Sequence, residues 1–200
     1  MSKLKVDQIS KATGASPAIF TLPAADGTAD QHMKTDGSGQ LGWSTPPAAA
    51  TNAPAFSVCT NAVTAITAAT NVKIVLDREV FTSTSGCFDP TTNYRFTVPA
   101  GQAGIYVIHA GINFLMASSS TTSNIQTMLY LNGAEHGTSD SVITNQANIT
   151  NLTVEGTWML DLADGAEIEL WGYVSGTSTQ YNGNATLQKT HMSGFKLMGV

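Results

Sequence analysis

From Ala55 to the C terminus the chain is written in short apolar-polar alternations separated by clusters of Gly, Asn, Ser and Thr. A period of two sends successive side chains to opposite faces of a strand, one of which enters a core. Leu152, Val154, Gly156, Trp158 and Leu160 interleave with Thr153, Glu155, Thr157 and Met159 in the clearest such register. The same reading predicts strands at 56–58, 72–76, 80–82, 94–98, 105–114, 125–131, 152–160, 166–174 and 192–198. No segment sustains a 3.6-residue period, and nothing alternates strand with helix. Asn132-Gly133 and Asp164-Gly165 are tight-turn signals, the second read as a hairpin flanked by Asp161 and Asp164. The expected fold is all-β, an antiparallel sandwich or jelly roll spanning residues 55–200.

Several of these strands are apolar on both faces. With Ile125, Leu129 and Leu131 inward, Met128 and Tyr130 point the other way; Ile168, Leu170 and Val174 oppose Trp171 and Tyr173. Tyr106, Ile108, Ile112 and Phe114 likewise oppose Ile105 and Val107. A sandwich of this size has one interior, so the surplus aromatic face calls for a partner, and self-association supplies it with the fewest assumptions. The residues expected at that interface are Tyr106, Met128, Tyr130, Trp171 and Tyr173.

Upstream the pattern changes. Residues 1–45 carry short apolar runs between turn clusters such as Ala25-Asp26-Gly27-Thr28 and Asp36-Gly37-Ser38-Gly39, each run too short to bury itself. They read as an extended anchoring segment whose Leu4, Val6, Ile9, Phe20, Leu22, Leu41 and Trp43 are expected to pack on another chain. Residues 46–54 hold three prolines without periodicity and read as a linker.

Composition narrows the function. Charged residues are 12% of the chain, while 27 Thr and 17 Ser supply polarity. The net charge is −5, and Arg78 and Arg95 are the two arginines, so a nucleic-acid partner is not expected. No apolar stretch reaches the length of a membrane helix, and the N terminus lacks a signal-peptide pattern, so synthesis in a cytoplasm-like compartment is expected. Cys59 and Cys87 are too few for a disulfide framework and read as free, buried thiols. The sequons at Asn148, Asn151 and Asn184 occur at about the number chance would give in so Asn-, Ser- and Thr-rich a chain.

Candidate chemistry adds little. Gly37-Ser38-Gly39-Gln40-Leu41-Gly42 fits G-x-G-x-x-G, but no helix can follow through Trp43-Ser44-Thr45-Pro46-Pro47, so it reads as a turn. His32, His109, His136 and His191 show no metal-ligand spacing, and His109 reads as a packed or interface histidine. No nucleophile elbow is present. Asp161, Asp164, Glu167 and Glu169 cluster in sequence, yet Glu167 and Glu169 alternate outward on a strand and read as solvated. No enzyme, cofactor or metal is expected. Loops at Tyr181-Asn182-Gly183-Asn184 and 118–124 are hydroxyl- and amide-rich enough to offer a glycan surface.

Two resemblances complete the reading. Tyr94-Arg95-Phe96-Thr97-Val98-Pro99-Ala100-Gly101 with Gly104-Ile105-Tyr106-Val107-Ile108 resembles the signature of the complement globular-head and tumour-necrosis-factor jelly rolls. Leu131-Asn132-Gly133, Leu160-Asp161-Leu162-Ala163-Asp164-Gly165 and Ser193-Gly194-Phe195-Lys196-Leu197 follow in that family's order, with Met192 where an aromatic is usual and Lys196 inside an apolar run. This resemblance implies a trimer of jelly rolls around a three-fold axis. Leu4-Lys5-Val6-Asp7, Phe20-Thr21-Leu22-Pro23 and the run from Lys34 to Trp43, K-T-D-G-S-G-Q-L-G-W, resemble a leader of tailed-phage virion proteins, which implies an attachment role. The expected function is therefore a phage virion structural protein, a surface-displayed homotrimer anchored to other virion proteins through residues 1–45. A capsid decoration or cement protein is the first expectation, because the chain has no long fibrous shaft. The alternative is a tail-fibre or spike tip binding a host surface glycan.

Overall fold

The computed structural model describes residues 6–10, 19–46, 52–116, 124–142, 151–177, 179–184 and 186–199, and among these it contains strands and no helix. The chain divides into two compact units, Met1–Ala50 and Thr51–Val200.

In the first unit β1 (Gln8–Ser10) pairs with β2 (Ile19–Thr21), and β3 (His32–Thr35) with β4 (Leu41–Ser44). A single parallel bridge from Thr21 to Gln40 joins the two pairs, with Thr21 N–H donating to the Gly39 carbonyl at 2.8 Å. The residues from Lys34 to Trp43 explain this local fold. The Asp36 carboxylate accepts from Ser38 N (2.8 Å), Ser38 Oγ (2.6 Å) and Gln40 N (3.0 Å). These bonds, the Ser38 hydroxyl foremost, hold the Asp36 carboxyl below its ordinary range. Gly37 (φ 86°) and Gly39 (φ 97°) take the left-handed conformations that the turn between β3 and β4 requires. Trp43 Nε1 donates to the Ala25 carbonyl at 2.8 Å, and its ring lies where a Cβ on Gly27 would come within 2.6 Å.

The second unit is built from β5 (Ala55–Cys59), β6 (Thr64–Ile66), β7 (Val72–Lys73), β8 (Arg78–Thr82), β9 (Phe88–Asp89), β10 (Arg95–Thr97) and β11 (Gly104–Leu115). It continues with β12 (Asn124–Leu131), β13 (Ala134–Val142), β14 (Asn151–Leu162), β15 (Glu167–Val174), β16 (Thr179–Tyr181) and β17 (His191–Gly199). A six-stranded sheet runs β13-β12-β15-β10-β9, with β7 added on β15. A seven-stranded sheet runs β6-β16-β11-β17-β5-β8, with β14 along the other side of β11. The pairings are antiparallel, and β11 and β14 keep register over their full lengths, from Gly104 opposite Leu162 to Leu115 opposite Asn151. The two sheets form the expected jelly-roll sandwich.

The inward rows of both sheets meet in one core. Tyr106, Ile108, Ile112 and Phe114 from the larger sheet close against Phe96, Ile125, Leu129, Ile168, Leu170 and Val174 from the smaller. Phe96 stacks on Phe56 with ring centroids 4.5 Å apart and tilts against Tyr106 at 5.7 Å. Burial of these side chains is the main stabilising term. Lys196, which interrupts the apolar run of β17, is buried as well, and its ammonium donates to Gln102 Oε1 at 3.3 Å.

The two turn signals behave differently. Asn132-Gly133, both at positive φ (52° and 78°), closes the β12–β13 hairpin as expected. Asp164-Gly165 closes a tight turn too, with Ala166 N–H donating to Ala163 O at 3.1 Å, but it does not make a hairpin. It carries the chain from β14 in the seven-stranded sheet to β15 in the six-stranded one. The Asp164 carboxylate accepts from the backbone N–H groups of Gly101 (2.7 Å), Gln102 (2.9 Å) and Ala103 (2.8 Å), which lowers its pKa and pins that crossing to the loop before β11. Cys59 and Cys87 are free and buried, and burial pushes both thiols up.

Candidate functional site

The outer face of each sheet offers a different surface. On the six-stranded sheet, Tyr130 and Trp171 stack at 4.6 Å, and Glu169 accepts Lys73 Nζ at 2.6 Å and Trp171 Nε1 at 2.9 Å. Asn71 Nδ2 donates to Tyr130 Oη at 2.8 Å. Tyr130, Trp171 and Tyr173 thus stand on one outward face, as their alternation predicts, half-buried among their own chain's polar groups. Met128 lies opposite Trp171 in register and is 1% exposed, already covered within the chain. Tyr106 must be removed from the interface set: it is fully enclosed in the core, its hydroxyl donating to Gln102 O at 2.7 Å. Its parity on β11 puts it with Ile108 and Ile112, which is the inward row. Glu169 is likewise covered, with Lys73 on one oxygen and Trp171 on the other, where its sequence position reads as solvated.

The seven-stranded sheet carries several exposed apolar groups. Val107 on β11 lies between Met159 on β14 and Phe195 on β17, with Ala55 on β5 completing the row. The next row holds Thr157, His109, Ser193, Ser57 and Phe81. Met159 is 69% exposed, Phe81 52% and Phe195 38%, and Met198, opposite Ile105, is 58% exposed. A shallow depression lined by Phe56, Phe81, Val107, His109 and Phe195 lies in this face.

One row further along, Glu155 on β14 and His191 on β17 both lie opposite Gly111 of β11. Gly111 has no side chain to separate them: a Cβ there would approach Glu155 Cγ to 2.8 Å and His191 Cε1 to 3.1 Å. His109, two residues earlier on the same face, completes a cluster in which one donor atom from each of His109, Glu155 and His191 lies within 4.8 Å of the others. The two imidazoles are 5.3 Å apart, tilted by 41°. His191 Nδ1 meets the Gln188 carbonyl at 3.1 Å, and His109 Nδ1 meets Thr157 Oγ1 at 3.0 Å. Burial foremost, then the charge of His109, lowers the pKa of His191, while Glu155 opposes the shift. Sequence spacing could not have shown this cluster, because its members come from three strands that only sheet register brings side by side. The one signal available was that Gly111 sits on the outward parity of β11.

Solved structures of low identity share this architecture. A tumour necrosis factor, Eiger, from S. frugiperda superposes with a TM-score of 0.52 at 12% identity, covering 74% of this chain and 95% of that one. Murine APRIL superposes with a TM-score of 0.52 at 11% identity, covering 72% and 98%. The fold is a tumour-necrosis-factor-like jelly roll. The globular domain of zebrafish complement 1qA also matches, at 14% identity and a TM-score of 0.47 over 74% of this chain and 99% of that one. No protein-family model matches the sequence, and no curated protein matches it. The jelly roll is therefore established from architecture, while the leader and the surface roles rest on this chain's own residues.

The other residues expected to attach the chain or to bind a glycan fall in different surroundings. Leu4 and the run 118–123 lie outside the described residues. Val6, Ile9 and Phe20 are exposed, whereas Leu22, Leu41 and Trp43 are half-buried within the first unit. Tyr181 is enclosed, its hydroxyl accepting from Val75 N at 3.0 Å, so within the loop Tyr181-Asn182-Gly183-Asn184 that hydroxyl is not offered to a glycan.

Proposed function

We propose that this chain is a phage virion structural protein: a jelly-roll homotrimer displayed on the particle surface and attached through residues 1–45, acting as a capsid decoration or cement protein. The observation that carries self-association is the row of exposed Met159, half-buried Val107 and exposed Phe195 beside Phe81 on the outer face of the seven-stranded sheet. Apolar side chains grouped on one sheet face are stabilised by burial against a second copy, and a jelly roll has no further interior to supply it. The proposed seam accordingly lies on this sheet. The Tyr130–Trp171 stack on the other sheet is already engaged by Lys73, Glu169 and Asn71 of its own chain. Attachment is supported by the leader's resemblance to virion-protein leaders and by Val6, Ile9, Ile19, Phe20 and Met33, which expose apolar surface from a unit too thin to cover it. A non-enzymatic role fits both supports. The tail-tip alternative has less support from the loop at 181–184, where Tyr181 is enclosed.

Light scattering on the purified full chain tests the assembly. The expected mass is three times the 20.9 kDa chain mass. Phe195→Asp or Met159→Asp should release monomer, since each copy would carry an unpaired charge into the seam. A monomeric wild type, or dissociation by Trp171→Asp with Phe195→Asp silent, would refute the seam.

A further inference from the structure

We propose that His109, Glu155 and His191 form a site for one zinc ion per chain on the outer face of the seven-stranded sheet. Two imidazoles and a carboxylate are the donor set zinc accepts, in three-ligand sites that leave a fourth position for water or another group. The members already converge, with donor atoms within 4.8 Å of one another. Ligand atoms around a tetrahedral zinc lie about 3.3 Å apart for bonds of about 2.0–2.1 Å, so small side-chain rotations close the site without moving a strand.

Three features indicate a built arrangement and not chance proximity. Gly111 separates Glu155 from His191 in register, and a Cβ there would crowd both side chains, coming within 2.8 Å of Glu155 Cγ, 3.1 Å of His191 Cε1 and 3.3 Å of Glu155 Oε1. Both histidines have Nδ1 engaged, His191 with the Gln188 carbonyl and His109 with Thr157 Oγ1, which orients each ring and leaves Nε2 for the metal. Outer partners of this kind fix tautomer and ring direction at metal-binding histidines. Finally, each ligand stands on a different strand of a continuous sheet, the β14–β11 and β11–β17 pairings holding the spacing rigid. Rigid elements preserve ligand geometry better than loops do. Thr157, Ser193 and Val107, the neighbours of His109 in sheet register, are uncharged, and on the far side of His191 the row continues to Cys59, whose thiol lies between it and Arg78.

The test uses the full chain, stripped with a chelator and titrated by calorimetry with Zn²⁺, and with Co²⁺ as a spectroscopic stand-in. The expected result is one equivalent per chain and a Co²⁺ absorption spectrum of tetrahedral type. Glu155→Gln, His109→Asn and His191→Asn should each weaken binding by roughly 100-fold or more. Gly111→Ala should do the same with all three ligands present. His136→Asn and His32→Asn, altering the two histidines outside the cluster, should leave the affinity unchanged. Circular dichroism confirms that each variant keeps its sheet; if Gly111→Ala does not fold, the three ligand variants decide. Failure to bind Zn²⁺, clearly less than one equivalent per chain, or an equal loss from His136→Asn would overturn the assignment.

Discussion

Glu167 and Glu169 stand two residues apart on one face of β15, each holding one cation, yet their surroundings separate the cost of removing them. Glu169 is 8% exposed, with Lys73 Nζ at 2.6 Å and Trp171 Nε1 at 2.9 Å on its two oxygens. Glu167 holds Arg95 Nη1 at 2.7 Å, with the two side chains 33% and 29% exposed. A hydrogen bond to a charged group contributes about 1.5–3 kcal/mol when covered, and stripping one partner from a buried pair costs about 3–5 kcal/mol. Lys73 keeps 28% of its side chain in solvent and can rehydrate, so Glu169→Ala falls at the lower end of those ranges. The expected loss is about 2–3 kcal/mol for Glu169→Ala, and at most about 1 kcal/mol for Glu167→Ala, a surface pair. In a unit of this size each kcal/mol shifts Tm by about 2–4 °C, giving roughly 4–12 °C against at most about 4 °C. Thermal unfolding followed by circular dichroism and tryptophan fluorescence reads both. Equal shifts, or a larger one for Glu167→Ala, would refute the claim that burial and the Trp171 bond make Glu169 the stronger tie.

Two further outcomes follow from groups with displaced pKa values. Asp164 is held below its ordinary range by three backbone N–H groups, so its stabilisation is complete above the unfolded carboxylate pKa of about 3.9 and is lost as pH falls through the folded value. Asp164→Asn should therefore lower the urea midpoint at neutral pH, with the gap to wild type narrowing below about pH 4; a gap that widens on acidification would contradict this. Cys59 and Cys87, buried with their thiols pushed up, should resist a disulfide reagent in the native protein and both react in denaturant; rapid native labelling of either would refute their burial.

The long strands were legible because their alternation is sampled over eight to twelve residues, as in β11, β12, β14 and β15. Edge and short strands were not. β13, Ala134–Val142, is paired along one side only and carries Glu135, His136, Thr138 and Asp140 outward, so no apolar period marks it. β6 and β16 are three residues each, too short for any period. The 72–76 strand shrinks to Val72–Lys73, because Ile74 and Leu76 enter the core from irregular backbone. Tyr106 was misplaced for a related reason: alternation separates two faces but does not say which is inward, and Tyr106 follows Ile108 and Ile112 into the core. Alternation pointed to the face of Tyr130, Trp171 and Tyr173, whereas the most exposed apolar groups of the jelly roll's sheets are on the seven-stranded one, where Met159, Phe195 and Phe81 come together from distant positions. The His109, Glu155 and His191 cluster was invisible for the same reason.

The claim that residues 1–45 attach the protein and residues 55–200 are displayed is tested most directly on particles. Virions lacking the protein are incubated with the full chain or with a chain missing residues 1–45, and occupancy is read by gold-labelled antibody against the jelly roll. The account predicts regularly placed label with the full chain and none with the truncated one, although the truncated protein remains folded and trimeric in solution. Normal occupancy by the truncated chain would place the attachment surface on the jelly roll and contradict the division of roles.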